Sequence, residues 1–262
     1  CNFEPGFGRA RFSCNMDVRG TVHRYVNQVP FPKDFAGSTE LGDDRLRITI
    51  DPERSGFRLR FDGEAISFDI GFDRRMEAFD FSACRYAAPE LISFQEVMTL
   101  GYNLPFEHMQ QSMTIAGQLT LKESGETLAV SGAGYRDHSW CVRSDNLGAS
   151  HTWCGLNFPG HAFGVMTIDT IHRPGLIAKE GYVADARGAR PLRRIEVVGE
   201  GDGGQGMPAT LIHRLTDIEG TEYVIESDVA GRIGQVPLEA ELPDGETIYR
   251  IHENFCRTRL NG

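Results

Sequence analysis

Histidine and tryptophan crowd into one stretch of this chain. Both tryptophans, Trp140 and Trp153, and four of the eight histidines, His138, His151, His161 and His172, lie between residues 138 and 172, with His108 a little upstream. Histidine exchanges protons near neutral pH and indole rings wall a pocket, so the crowding fits an active site in a strand-built cavity. The richest segment is Gly132-Ala133-Gly134-Tyr135-Arg136-Asp137-His138-Ser139-Trp140. Its glycine pair admits close approach of backbone or ligand, and a phenol, a guanidinium, an acid, an imidazole and an indole follow directly. On a strand, Arg136, His138 and Trp140 share one face and Tyr135, Asp137 and Ser139 the other. Asp137 and His138 therefore do not pair directly unless the strand is bulged. The same residue types also fill barrel interiors structurally, with buried Asp and Arg satisfying turn backbone.

Strands must position these residues. Leu46, Ile48 and Ile50 alternate with polar residues, as do Phe57, Leu59 and Phe61, then Ile66, Phe68, Ile70 and Phe72; Arg54-Ser55-Gly56 and Asp62-Gly63 separate the runs. Alternation of period two puts one face on a core, and Asp-Gly favours a tight turn. A second series runs through Ile115 to Leu121, a Ser124-Gly125 turn, Leu128 to Val130, His151 to Phe158, a Pro159-Gly160 turn and His161 to His172. Later strands are expected at Ile195 to Val198, Thr210 to Leu215, Tyr223 to Ile225 and Thr247 to Ile251. No stretch keeps helical periodicity over three turns, so helices should be few and short. Arg143 to Ser150 is the expected crossing between two β units.

Composition excludes several classes of function. The 262 residues carry 27 Lys+Arg against 37 Asp+Glu, a net charge of −10, and no basic runs, which argues against a surface that tracks nucleic-acid phosphates. No apolar stretch approaches the roughly 18 residues of a membrane-spanning helix. Gly199 to Gly206 is glycine-rich, but it lacks the Lys-Ser/Thr of a phosphate loop and carries Glu200 and Asp202, so it reads as a hairpin connection. The six cysteines (1, 14, 84, 141, 154 and 256) form no CxxC pair and fit reduced thiols in a cytoplasmic protein, although Cys141 and Cys154 could meet across strands. The start at Cys1 and the strand-like run up to Arg259 point to a chain trimmed at both ends; a lipidated N-terminal cysteine is the alternative reading of Cys1.

Tyr135-Arg136-Asp137-His138-Ser139-Trp140 resembles the Asp-His-Asn/Ser-Trp signature of the carotenoid 1,2-hydratase and AttH-like superfamily, whose members join two lipocalin-like β units end to end. His108-Met109-Gln110-Gln111-Ser112 followed by Gly117 resembles the strand before that signature in a bacterial branch, where Glu is commoner at the Gln110 position. Cys141 stands where the family usually has Gly. The resemblance covers residues 100–175 and reaches the rest only through strand pattern. It implies chemistry on apolar substrates: acid-initiated hydration of an isoprenoid double bond, dehydration, isomerisation or cyclisation. It also implies that His138 and Trp140 line the cavity and that a downstream carboxylic acid protonates the alkene. Asp169 in Val165-Met166-Thr167-Ile168-Asp169 fits that acid, because an apolar strand would desolvate a carboxyl and keep it protonated. A pairing of Asp169 with Arg173 is its structural alternative, and Asp145 and Asp137 are the other candidate acids.

The expected architecture is all-β, with two consecutive lipocalin-like barrel or sandwich units (residues 1–145 and 146–262) and few short helices. The expected function is cofactor-independent acid–base catalysis of the lyase or isomerase type on a terpenoid, steroid-like or polyketide substrate. Protonating an alkene or a tertiary alcohol creates a carbocation, which needs a buried acid, aromatic faces and exclusion of water. The catalytic candidates are His138, Asp169 and Asp137; the substrate-binding candidates are Trp140, Trp153, Tyr135, His108 and Gln111. No metal or cofactor is expected, the partner is a hydrophobic small molecule, and a homodimer is compatible with the fold. Two other readings stay open. A non-enzymatic carrier would use the same cavity without a buried acid. A metal enzyme would take ligands from His108, His138, His151, His161 and His172, although no His-x-His or His-Glu-x-x-His spacing is present.

Overall fold

The computed structural model describes the chain apart from residues 34, 36, 52–55, 89–92, 94–105, 142–147, 171–176, 205, 242–246 and 262; for 141, 148–151, 169, 170, 177, 236–241 and 247–252 it describes the backbone alone. The strands, in chain order, are β1 (Asn2–Glu4), β2 (Arg9–Val18), β3 (Thr21–Pro30), β4 (Glu40–Gly42), β5 (Leu46–Asp51), β6 (Gly56–Asp62), β7 (Ile66–Arg74), β8 (Phe79–Asp80), β9 (Phe106–Leu121) and β10 (Glu126–Cys141). They continue as β11 (Gly148–Phe158), β12 (His161–Thr170), β13 (Ile177–Asp185), β14 (Gly188–Glu200), β15 (Thr210–Asp217), β16 (Glu222–Asp228), β17 (Gly234–Glu241), β18 (Thr247–Phe255) and β19 (Arg257–Asn261). Among the described residues the helical elements are α1 (Cys84–Ala87) and two single 3-10 turns at Pro5–Phe7 and Phe81–Ala83. Among the described residues no helix is long and apolar enough to cross a membrane.

Alternation and turns account for the β architecture. Leu46 pairs with Phe61 and Phe61 with Phe68; Ile48 pairs with Leu59 and Leu59 with Ile70, so the apolar positions of β5, β6 and β7 fall on one face. The β2–β3 hairpin turns through Arg19 and Gly20, both with positive φ (54° and 84°), which suits the right-handed twist of the flanking strands. The Gly-rich stretch after Glu200 is the connection between the antiparallel strands β14 and β15. Two regions were not apparent from periodicity. β1–β3 form a separate three-stranded sheet, and β13 is buried on both faces, which removes the alternation that marks a strand.

Four sheets are present among the described residues: β1-β2-β3; β10-β9-β7-β6-β5-β4, with β8 added on β9; β11-β12-β13-β14-β15-β16-β19; and β17-β18. Each draws its strands from one side of residue 145, while Arg143 to Leu147 of the expected crossing lie outside the described residues. The compact units do not follow that division. One comprises residues 1–73, 114–132 and 232–256, and the other 74–113, 133–231 and 257–262. The halves differ from the units because β9 and β10, at 16 residues each, contribute to both, and because β17 and β18 of the second half belong to the first unit.

The first unit is built on Ala10, Phe12, Leu46, Phe61, Ile66, Phe68, Ile70 and Leu119. In the second unit, the sheet from β11 to β14 has two buried faces. Leu156, Phe163 and Val183 are in register on one, and with Val165, Leu192, Ile195, Leu215, Tyr223 and Ile225 they form the larger core. The other face carries Trp153, Met166 and Glu180 in register and, one step along, Gly155, Gly164 and Tyr182. Phe79, Phe81 and Cys84 pack on Ala162, Tyr182 and Ala184 of this face.

Candidate functional site

The second face of the β11–β14 sheet is where polar chemistry enters the second unit. Successive even-numbered residues of β9 point to one side, and each meets a different level of this face. Phe106 packs with Met166, Ile168 and Ala178. The His108 ring lies edge-on to Trp153 at 5.2 Å and stacks on Phe81 at 4.2 Å. The hydroxyl of Ser112 donates to Asn157 Oδ1 at 2.5 Å. Gln110, between His108 and Ser112, is 1% exposed.

From the neighbouring strand β10, Asp137 brings its carboxylate to this row. His108 Nε2 lies 2.5 Å from Asp137 Oδ2; the His108 side chain has no exposed surface and that of Asp137 is 30% exposed. With Nε2–H donating to the carboxylate, imidazole and carboxylate form one hydrogen-bonded unit. Tyr135, two residues along the same face of β10, lays its ring on the bare backbone of Gly155, where any Cβ would collide with it. Burial pushes the Tyr182 phenol well above its usual range, and the neighbouring Tyr135 and Asp137 add to the effect. Glu180 is a buried acid, 6% exposed, on the face shared with Trp153 and Tyr182. Burial and then the charge of Glu180 push the Cys84 thiol upward as well. The site therefore holds an imidazole hydrogen-bonded to a carboxylate, a second acid, two phenols and an indole within an aromatic wall.

The predicted residues separate along this geometry. His108, Asp137, Tyr135 and Trp153 come together. The rings of His138 and Trp140 lie 4.5 Å apart, tilted at 49°, on the opposite parity of β10, and both are exposed, Trp140 to 42%. The expectation that they point into a cavity is corrected: Asp137 meets His108 instead, while His138 and Trp140, on the other parity, are exposed. Desolvation and then Arg136 lower the His138 pKa, against Asp137 and Glu107. Gln111 is buried, but on the other face of β9 from His108, and its Nε2 donates to the Met76 carbonyl at 2.9 Å. The backbone of Asp169 pairs with Ser150 and Ile177, while the Asp169 side chain, like those of His151 and Cys141, lies outside the described residues, as do Asp145, His172 and Arg173 altogether. His161 is elsewhere in the unit, stacked on Phe163 at 6.1 Å with Nε2 3.9 Å from Asp185. Among the described residues no three His, Cys, Asp or Glu side chains are grouped to hold a metal ion. A surface cleft of about 380 Å³ is lined by Arg74, Glu77, Asp185 and Arg187 among others, and is polar, unlike the apolar cavity expected.

Glu180 and Tyr182 went unremarked as functional positions in the sequence, and Gln110 drew attention only as a position where the resembling branch more often has Glu. Ala178-Lys179-Glu180-Gly181-Tyr182 shows no alternation, and only register with Trp153 and Gly164 reveals which residues face His108.

The family model described as a domain of unknown function, DUF7064, matches residues 2–262. The chain belongs to the DUF7064 family. This DUF7064 chain is similar in structure to a candidate AttH protein from Nitrosomonas europaea, over 99% of its own length and 78% of that chain, with a TM-score of 0.55 and 14% identity. At that identity the likeness shows the fold alone: this chain is all-β and lipocalin-like. No curated protein matches the chain.

Proposed function

We propose that this protein is an acid–base enzyme that needs no cofactor and acts on an apolar molecule of terpenoid, steroid-like or polyketide type, by hydration or dehydration, isomerisation or cyclisation. The observation that carries the proposal is the Asp137–His108 pair, with the imidazole sealed behind the carboxylate. A carboxylate that only closed a strand end would not need a fully buried imidazole walled by Phe81 and Trp153. Asp137, the more exposed partner, is the group that meets substrate and gives or takes the proton. His108 is a positioning residue: it holds the carboxylate and shares the proton across the short contact. Trp153, Tyr135 and Phe81 supply aromatic faces beside developing positive charge. Glu180, buried on the same face, and Asp169 are the candidate acids for proton delivery to an alkene. A lipocalin-like fold is compatible with a hydrophobic ligand under either a catalytic or a carrier reading.

The test is turnover of an isoprenoid, steroid and polyketide panel by the intact protein, its Asp137→Asn variant and its His108→Gln variant. The catalytic reading requires that Asp137→Asn abolish turnover while ligand binding persists. A carrier binds the same compounds and changes none of them.

A further inference from the structure

Gln110 stands out from its neighbours in the row. His108 and Ser112, on either side along the same face of β9, have polar partners in Asp137 and Asn157. The Gln110 side chain is just as deeply buried, at 1% residue exposure, yet among the described residues neither its Oε1 nor its Nε2 has a hydrogen-bond partner. Burying an unsatisfied amide is costly, and a folded chain keeps one where something else completes it. The opposing strand makes room for it. Gly164 lies beneath the amide, and a Cβ at that position would collide with Gln110 Oε1 and with the Tyr182 ring. An apolar side chain at position 110 would seal the layer without any unmet polar atom, so packing alone does not account for glutamine here.

We infer that the Gln110 amide is a subsite for one neutral oxygen of the ligand, a ketone or hydroxyl on an otherwise apolar skeleton. Nε2–H donates to a carbonyl and Oε1 accepts from a hydroxyl, so one side chain reads either group. A carboxylate is disfavoured, because Glu180 lies one residue pair along the same face from Tyr182 and Asp137 is on the adjoining strand. The inference rests on the catalytic reading above, in that it names the substrate class of the same site: an oxygenated apolar molecule rather than a pure hydrocarbon. A buried hydrogen-bonding group of this kind discriminates strongly, since the analogue lacking the oxygen leaves the amide unmet.

The experiment uses the full chain carrying Trp140→Phe, which leaves Trp153 as the single tryptophan. Trp153 contacts His108, two residues from Gln110, so its fluorescence reports occupancy. The probes are 4-tert-butylcyclohexanone and tert-butylcyclohexane, alike in shape and differing in one oxygen. The ketone should bind about tenfold or more tightly than the hydrocarbon. Adding Gln110→Leu should bring the two within about twofold by weakening the ketone alone, with a melting temperature no lower than the parent's. Equal affinities in the parent, or a preference that survives Gln110→Leu, would overturn the inference. So would binding of neither probe, or a lowered melting temperature in Gln110→Leu, since an amide completed by an internal water only would show these. Asp137→Asn should leave the ketone preference intact, so loss of turnover in that variant speaks to the catalytic reading and loss of preference in Gln110→Leu to the subsite.

Discussion

His108 and Asp137 are 29 residues apart in the chain and 2.5 Å apart in space, joined because β9 and β10 are neighbours in one sheet. Neither residue's local sequence reveals the other. Strand parity separates Asp137 from His138, and the imidazole that Asp137 meets belongs to the preceding strand, so the titratable pair of this fold is set by register rather than by the adjacent Asp-His dipeptide.

Packing of the aromatic wall can be tested at Gly155. A methyl group there collides with the Tyr135 ring. Gly155→Ala should cost about 1–3 kcal/mol in urea unfolding, the usual range for overpacking a filled site. Tyr135→Ala in the same chain should recover part of that loss, because the two changes share one contact and cannot be additive. Additive costs would show that the ring does not rest on Gly155.

The second unit is also held by a buried charge network. Arg190 donates from Nε to Asp217 Oδ2 at 2.8 Å and from its terminal nitrogens to Asp185 at 3.0 and 2.9 Å; the Asp217 side chain is fully buried, and that of Arg190 is 8% exposed. The hydrogen bond from Arg190 leads the influences that hold the Asp185 carboxyl well below the usual carboxylate range. Asp217→Ala removes the partner of Nε while Asp185 still holds the terminal nitrogens, which should cost about 1.5–3 kcal/mol by chemical denaturation. A loss under about 1 kcal/mol would mean that solvent compensates the charge.

Acid sensitivity should arise partly at His213. This side chain is fully buried, and burial pushes its pKa down from 6.5 to about 4, against a backbone hydrogen bond with Ile225. The folded state therefore favours the neutral ring. Its stabilisation is present in full above the unfolded value of 6.5 and is lost as pH falls from there through about 4, amounting to about 3 kcal/mol. Urea midpoints of the protein and of His213→Leu, compared at pH 7.5 and pH 4, should show a smaller acid loss in the variant. Parallel losses would assign the acid sensitivity to other groups.

Much of the fold was legible because one-sided strands leave a period-two trace. Leu46, Ile48 and Ile50, and their partners in β6 and β7, marked both the strands and the buried face. β13 left no trace, since Ala178, Glu180, Gly181, Tyr182, Val183 and Ala184 are all buried on one face or the other. The site was half legible for the same reason. Residue types drew attention to His108, Tyr135, Asp137 and Trp153. The roles expected of His138 and Trp140 came from a motif without a register, and Glu180 and Gln110 gain meaning only opposite Trp153 and Gly164.

The central claim is that the Asp137–His108 pair moves protons to or from an apolar substrate. The most direct measurement is mass spectrometry of an isoprenoid, steroid and polyketide panel incubated with the protein in D₂O. The account predicts deuterium in at least one compound, as exchange, isomerisation or addition of water, with loss of the label in Asp137→Asn under conditions where that variant still quenches Trp153 on binding. Binding of panel members with no deuterium in any of them, or undiminished labelling by Asp137→Asn, would contradict it.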